Sequence, residues 1–204
     1  MKLVLASDNK GKLKEMRSLL SGIDIEVLSK SEAGCDIVVP ETGTTFEENA
    51  RLKAQAVSNA TGLAAIADDS GLEVVSLGGE PGVYSARYSG SHEHTDAQRN
   101  EYLLRKLENE NDRRASSVSC VCCFFPNGDA LYSRGECEGN LLFGIKGRGG
   151  FGYDPMFVPT GFDRSMGELT DEEKNAISHR GKSFIKIKAE LRQYLENLTA
   201  GKEI

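Results

Sequence analysis

Apolar residues in this chain fall into short aliphatic blocks that alternate with longer amphipathic stretches, the pattern of buried strands joined by helices. Leu3 to Ala6 predicts a first strand, and Ser7, Asp8 and Asn9 offer caps for a helix whose stripe is Leu13, Met16, Leu19 and Leu20. Ile23 to Leu28 alternates as a second strand, and Ile37 to Gly43 is extended until the glycine breaks it. Thr44 or Thr45 then caps a helix, with Glu47 or Glu48 completing a capping box, and that helix stops at Gly62. Leu63 to Ala67 predicts a strand that delivers Asp68, Asp69 and Ser70 to a turn at Gly71, with a further strand over Glu73 to Leu77.

In the second half, Val83 to Tyr88 suggests a short helix with Tyr84 and Tyr88 on one packed face, and Thr95 to Leu107 an amphipathic helix. Ser116 to Phe125 and Ala130 to Glu138 flank Pro126-Asn127-Gly128-Asp129, the strongest hairpin signal in the chain. Gly147 to Gly152 fits G-x-G-x-x-G, but the chain continues through Asp154-Pro155 into a strand at Met156 to Val158. The helix that a dinucleotide fingerprint needs does not follow. Thr170 and Glu173 form a capping box for a helix closed by Ser178-His179-Arg180-Gly181, where a His-Arg pair before a terminal glycine suits the dipole. Lys182 to Leu198 is the last amphipathic helix, with Phe184, Ile185, Ile187, Leu191, Leu195 and Leu198 on its buried side. Strand-helix units first and a hairpin later predict a mixed α/β sheet.

At 204 residues, 39% hydrophobic and 27% charged, the chain suits one soluble domain, residues 1–204. A net charge of -6 argues against binding to nucleic acid polymer, which needs a basic surface, but not against small anions met by local lysines. The apolar start is too short for a signal segment and no run approaches a membrane span, so a cytoplasmic protein is expected. Five cysteines, three of them between Val118 and Phe125, read as reduced buried thiols, because no CxxC pair or histidine cluster accompanies them.

Four places could carry chemistry. Asp68-Asp69-Ser70 is either a rigid carboxylate pair that shares a hard cation with a phosphate or an exposed acidic turn. The junction of the first strand and helix, with Lys10 and Lys12, is either a phosphate seat or a capped helix with solvated lysines. Glu41 precedes the second helix and Lys53 lies two turns into it, so both can face a site. The glycine-rich loop displays Phe151 and Tyr153, which suit stacking on a flat base or a hairpin core.

These segments together resemble the inosine/xanthosine triphosphate pyrophosphatase family over essentially the whole length. The resemblance is carried by Leu5-Ala6-Ser7-Asp8-Asn9-Lys10-Gly11-Lys12, by Glu41-Thr42-Gly43 with Phe46, Glu48, Asn49 and Lys53, and by Ala67-Asp68-Asp69-Ser70-Gly71-Leu72. Pro81 to Arg87, Gly150-Phe151-Gly152-Tyr153-Asp154-Pro155, and Leu169-Thr170 leading to Glu173-Lys174 and Ser178-His179-Arg180-Gly181 complete it. It implies an elongated mixed β-sheet flanked by helices, two lobes with a central substrate cleft, and a homodimer. The implied reaction splits a purine nucleoside triphosphate such as ITP, dITP or XTP into monophosphate and pyrophosphate with Mg²⁺. By the same resemblance, Ser7, Asp8, Asn9, Lys10, Gly11, Lys12 and Lys53 hold the triphosphate, Glu41 and Asp69 bind the metal, and Asp69 accepts the proton. Ser70, Phe151, Gly152, Tyr153, Asp154, Lys174, His179 and Arg180 surround the nucleotide. Ser7 stands where the family more often has Thr, and Asp8 where Gly is common. The competing readings are a related pyrophosphatase for pyrimidine or modified nucleotides and a nucleotide sensor without turnover.

Overall fold

The strands of this chain are β1 (Lys2–Leu5), β2 (Glu26–Ser29), β3 (Ala64–Val74), β4 (Arg114–Phe124), β5 (Ala130–Leu141) and β6 (Phe157–Pro159). The helices are α1 (Lys10–Leu19), α2 (Phe46–Thr61), α3 (Asp96–Lys106), α4 (Asp171–Ile177) and α5 (His179–Ala200). The computed structural model describes residues 1–8, 10–91 and 93–200. The strands form a mixed sheet in the order β2-β1-β3-β4-β5-β6, with β1 parallel to β2 and β3, and β5 antiparallel to β6. The chain divides into two compact units, the first built from residues 1–69, 120–134 and 183 onward, the second from 70–119 and 135–182.

In the first unit the period-two alternation of the strands decides which helix each residue meets. Leu3, Leu5, Ile66, Val121 and Cys123 pack with Met16 of α1 and with Phe184, Ile187 and Leu191 of α5. The intervening residues pack on α2, Val4 and Ala65 with Val57, and Ala67, Cys122 and Phe124 with Ala50 and Ala54. Strands covered on both faces need no polar side, which is why they read as unbroken aliphatic runs. All five cysteines are free and buried, as their apolar neighbours suggested. The capping box falls on Thr45 and Glu48, and Gly62 ends α2 in the left-handed conformation at φ 68°.

The second unit has its own core of Leu72, Val74, Leu103, Leu107, Leu141, Met156 and Phe157. Thr95 with Gln98 opens α3 and Thr170 with Glu173 opens α4, both through capping boxes.

Four expectations fail, each for a local reason. No turn occurs at Gly71, because β3 runs unbroken from Ala64 to Val74 through Asp68-Asp69-Ser70-Gly71, and Val75–Leu77 is a single 3₁₀ turn instead of strand. Tyr84 and Tyr88 do not share a packed face. Tyr88 meets the edge of Tyr102 with ring centroids 5.2 Å apart, whereas Tyr84 is exposed beneath the Arg87 guanidinium. Ile185 and Leu198 are 62% and 44% exposed, since the stripe Phe184-Ile187-Leu191 fixes the face of α5 and Ile185 lies about 100° round the helix from Phe184. Finally, α4 closes at Ser178, and Gly181 is not its stop. Ser178 is extended, its hydroxyl accepts the Gly181 N–H at 3.0 Å, and His179 begins α5. No helix among the described residues is long and apolar enough to cross a membrane.

Candidate active site

The unbroken course of β3 gives the charged groups of the first unit their logic. Asp68 shares the strand face of Ile66, toward α1, and Asp69 shares that of Ala67, toward α2. Each acid therefore meets a lysine from the helix on its own side. Lys12 Nζ of α1 donates to both Asp68 oxygens at 2.8 and 2.9 Å, and Lys53 Nζ of α2 donates to Asp69 Oδ1 at 2.9 Å. A pair of adjacent carboxylates can stay in a buried strand only with such partners, because an isolated buried charge costs several kcal/mol.

Lys53 also donates to Glu41 Oε1 at 2.8 Å, so one ammonium bridges two carboxylates that are 28 residues apart in sequence. One turn earlier on α2, buried Asn49 donates to Asp69 Oδ2 at 3.2 Å and accepts the Gly43 N–H at 2.8 Å, which ties the segment bearing Glu41 to the same acid. Burial pushes the Asp69 carboxyl up, an effect that Lys53 opposes without cancelling. Burial works against the Lys53 ammonium, but Asp69, Asp68 and Glu41 outweigh it and its pKa is raised. A cavity of about 250 Å³ opens onto Ser7, Lys12, Glu41, Lys53 and Asp68. Lys30, which no sequence signal singled out, lines it too and pairs with Asp8 Oδ2 at 2.7 Å. Gly11 lies within α1; Asn9 and the side chain of Lys10 lie outside the described residues.

The second unit assembles the other predicted residues. Phe151 is 47% exposed, with the Lys174 ammonium 4.3 Å and the Arg180 guanidinium 4.8 Å from its ring centroid. Asp154 Oδ2 accepts both Lys174 Nζ at 2.6 Å and the Phe151 N–H at 2.8 Å, fixing ring and cation together. A Cβ on Gly150 would lie 2.2 Å from that same oxygen, so the glycine permits the turn. Arg180 donates toward Ser70 Oγ at 3.4 Å, and His179 is buried beside it on the first turn of α5. A cation at a helix N-terminus faces the positive end of the dipole, the reverse of the arrangement the sequence suggested. Its place is explained by its contacts with Phe151 and Ser70, not by helix stability.

Tyr153 turns inward. Its hydroxyl donates to Ser85 O at 2.9 Å, its ring packs on the second core, and burial pushes its pKa up. Two further residues were invisible in the sequence, Asp96 and Asn100 of α3. Asp96 Oδ2 accepts the Gly152 N–H at 2.7 Å and Asn100 Nδ2 donates to Gly152 O at 3.0 Å, so both polar groups of one peptide residue are clamped beside Phe151. They sit on a helix that reads as merely amphipathic, and their partner is 52 to 56 residues away.

Gly181 is needed for close approach. A Cβ there would lie 2.0 Å from Asn175 O of the preceding helix. Gly181→Ala is expected to lower stability by about 1–3 kcal/mol through this overlap and to disturb Arg180 next to it. Calorimetry and nucleotide titration on the same sample check both effects.

The sequence matches the model of the Ham1 family over residues 3–190. It is 49% identical to the dITP/XTP pyrophosphatase of Deinococcus deserti, over 92% of this chain and 88% of that protein. Among solved structures, the Staphylococcus aureus Ham1 protein matches with a TM-score of 0.88 at 41% identity, over 95% of this chain and all of that one. A HAM1 protein from Coxiella burnetii matches with a TM-score of 0.89 at 40% identity, over 95% of this chain and 99% of that one. A sequence and a fold matched over nearly the whole length make this chain a member of the Ham1 family.

Proposed function

We propose that this enzyme hydrolyses non-standard purine nucleoside triphosphates (ITP, dITP and XTP) between the α and β phosphates, releasing a monophosphate and pyrophosphate. The observation that carries the reading is the Lys53 ammonium held between Glu41 and Asp69 at the wall of a lysine-lined cavity. The similarity to proteins named dITP/XTP pyrophosphatase supports it.

The donor set suits Mg²⁺. Glu41 and Asp69 offer hard oxygens around a common cation, and no cluster of three His, Cys, Asp or Glu residues that could hold a metal occurs among the described residues. Two carboxylates, with phosphate oxygens and water for the rest, is the usual provision for Mg²⁺ and a poor one for zinc. Bound there, Mg²⁺ would neutralise phosphate charge and polarise the phosphorus under attack. Lys12 and Lys53 screen the triphosphate and the departing pyrophosphate; Asp69 orients the attacking water and accepts its proton. Ser7 and the start of α1 position the phosphate chain.

In the second unit Phe151 supplies a stacking face, and the cations that flank it are hydrogen-bond donors. Hypoxanthine and xanthine offer an acceptor oxygen at C6, whereas adenine offers an amino donor that would meet donor against donor; guanine shares the C6 oxygen, so its rejection must come from its 2-amino group meeting a further donor or a tight wall. A site that leaves buried donors unpaired with the wrong base can discriminate by roughly 10⁴. We also assign a homodimer and a single two-lobed domain, on the strength of the family resemblance.

Pyrophosphate release from ITP, XTP, dITP, ATP, GTP, UTP and dTTP with Mg²⁺ tests the reading. The first three should turn over at least roughly 100-fold faster than the others, a conservative share of that discrimination. Preference for UTP or dTTP would make it a pyrimidine enzyme, and tight ITP binding without release would make it a sensor.

A further inference from the structure

Every lysine named in the phosphate cavity already has an internal carboxylate: Lys12 has Asp68, Lys53 has Glu41 and Asp69, and Lys30 has Asp8. The pairs differ in how easily the acid can leave. Asp68 and Asp69 are buried in β3, where an unpaired charge would be costly. The Asp8 side chain is 80% exposed, so leaving its lysine exchanges one ammonium for water at little cost. Lys30 is the opposite case. Its side chain is 10% exposed and its ammonium is anchored by donating to Ile37 O at 3.0 Å, so it stays at the cavity wall whatever Asp8 does.

We propose that Lys30 is a further phosphate-binding cation and that Asp8 is its built-in competitor, a mobile carboxylate that a phosphate oxygen displaces from the ammonium. The inference rests on the triphosphate reading of this cavity. A carboxylate brings one negative charge, whereas a terminal phosphate brings nearly two and three acceptor oxygens, so the exchange favours the phosphate. Asp8 then sets a threshold. It weakens capture of any polyphosphate, and the pyrophosphate product is expelled as the carboxylate returns.

The test uses the full-length protein and two readouts, ITP kinetics and calorimetric binding of inorganic tripolyphosphate. Asp8→Asn is expected to lower KM for ITP and tighten tripolyphosphate binding roughly three- to tenfold, the size of one screened charge contact. Lys30→Met should raise KM and remove the effect of Asp8→Asn in the double variant, and Lys30→Arg should restore most of the binding. Unchanged or weaker tripolyphosphate binding by Asp8→Asn, or additive effects in the double variant, would overturn the proposal. If Lys30→Met fails to fold, the Asp8→Asn and Lys30→Arg arms still decide. Should the wild type release no pyrophosphate from ITP, the functional reading falls, while tripolyphosphate binding separately decides the role of Lys30.

Discussion

Asp69→Asn is expected to reduce pyrophosphate release from ITP roughly 10³-fold, the range of a lost general base at a charged site, with ITP binding retained and no loss of thermal stability. The first expectation follows from position, since Asp69 shares the Lys53 ammonium with Glu41 and is held from behind by Asn49. Asparagine keeps the shape but neither carries the negative charge nor accepts a proton. The second follows from linkage. Burial raises the Asp69 pKa above the ordinary carboxyl range, so the folded state binds this proton more tightly than the unfolded chain. The contribution of that group to stability is greatest below its unfolded pKa and is lost as pH rises through the raised value. The ionised carboxylate therefore carries a burial cost, which the neutral amide of the variant avoids while Glu41 keeps Lys53 paired. Calorimetry at pH 7 should show a midpoint equal to or above that of wild type. A fall of several degrees together with lost ITP binding would recast Asp69 as a structural anion.

Much of this could be read from the amino acids alone, and the exceptions share a cause. The apolar strands, the capping boxes at Thr45 and Thr170 and the hairpin at 126–129 are local, so sequence spacing is enough to find them. The acidic segment of β3 reads as a turn from sequence, because Asp, Ser and Gly are turn formers unless something distant neutralises them. Here Lys12 and Lys53 do so, from 56 and 16 residues away. His179-Arg180 reads as a helix end for a related reason. Glycine after a His-Arg pair is a helix stop in most contexts, and only the approach of Asn175 O shows that Gly181 serves packing inside a new helix. Lys30, Asp96 and Asn100 carried no local signature, since their roles depend on a loop carboxylate or a loop peptide brought to them by the fold. What sequence spacing conveys is the set of charges; which pairs they form is decided by tertiary structure.

Lys53→Met should be the most damaging substitution to the fold among the charged residues of the cavity, and the one most open to rescue by a cation. Removing the ammonium takes away the cation that bridges Glu41 and buried Asp69, and the only gain is a methionine of similar length. Breaking a buried pair from one side costs about 3–5 kcal/mol, which in a chain of this size lowers the midpoint by roughly 6–20 °C. Lys53 has a raised pKa, so its contribution is complete below its unfolded value and disappears as pH rises through the folded one. The gap between wild type and variant should accordingly be full at pH 7 and close only in strong alkali. Two carboxylates relieved of their lysine form a better seat for a divalent ion. Mg²⁺ in the millimolar range should then raise the melting midpoint of Lys53→Met by more than that of wild type, and should not raise that of Lys53→Met combined with Asp69→Asn. Equal shifts in all three proteins would show that Glu41 and Asp69 do not form the metal seat, whatever the activity of the enzyme.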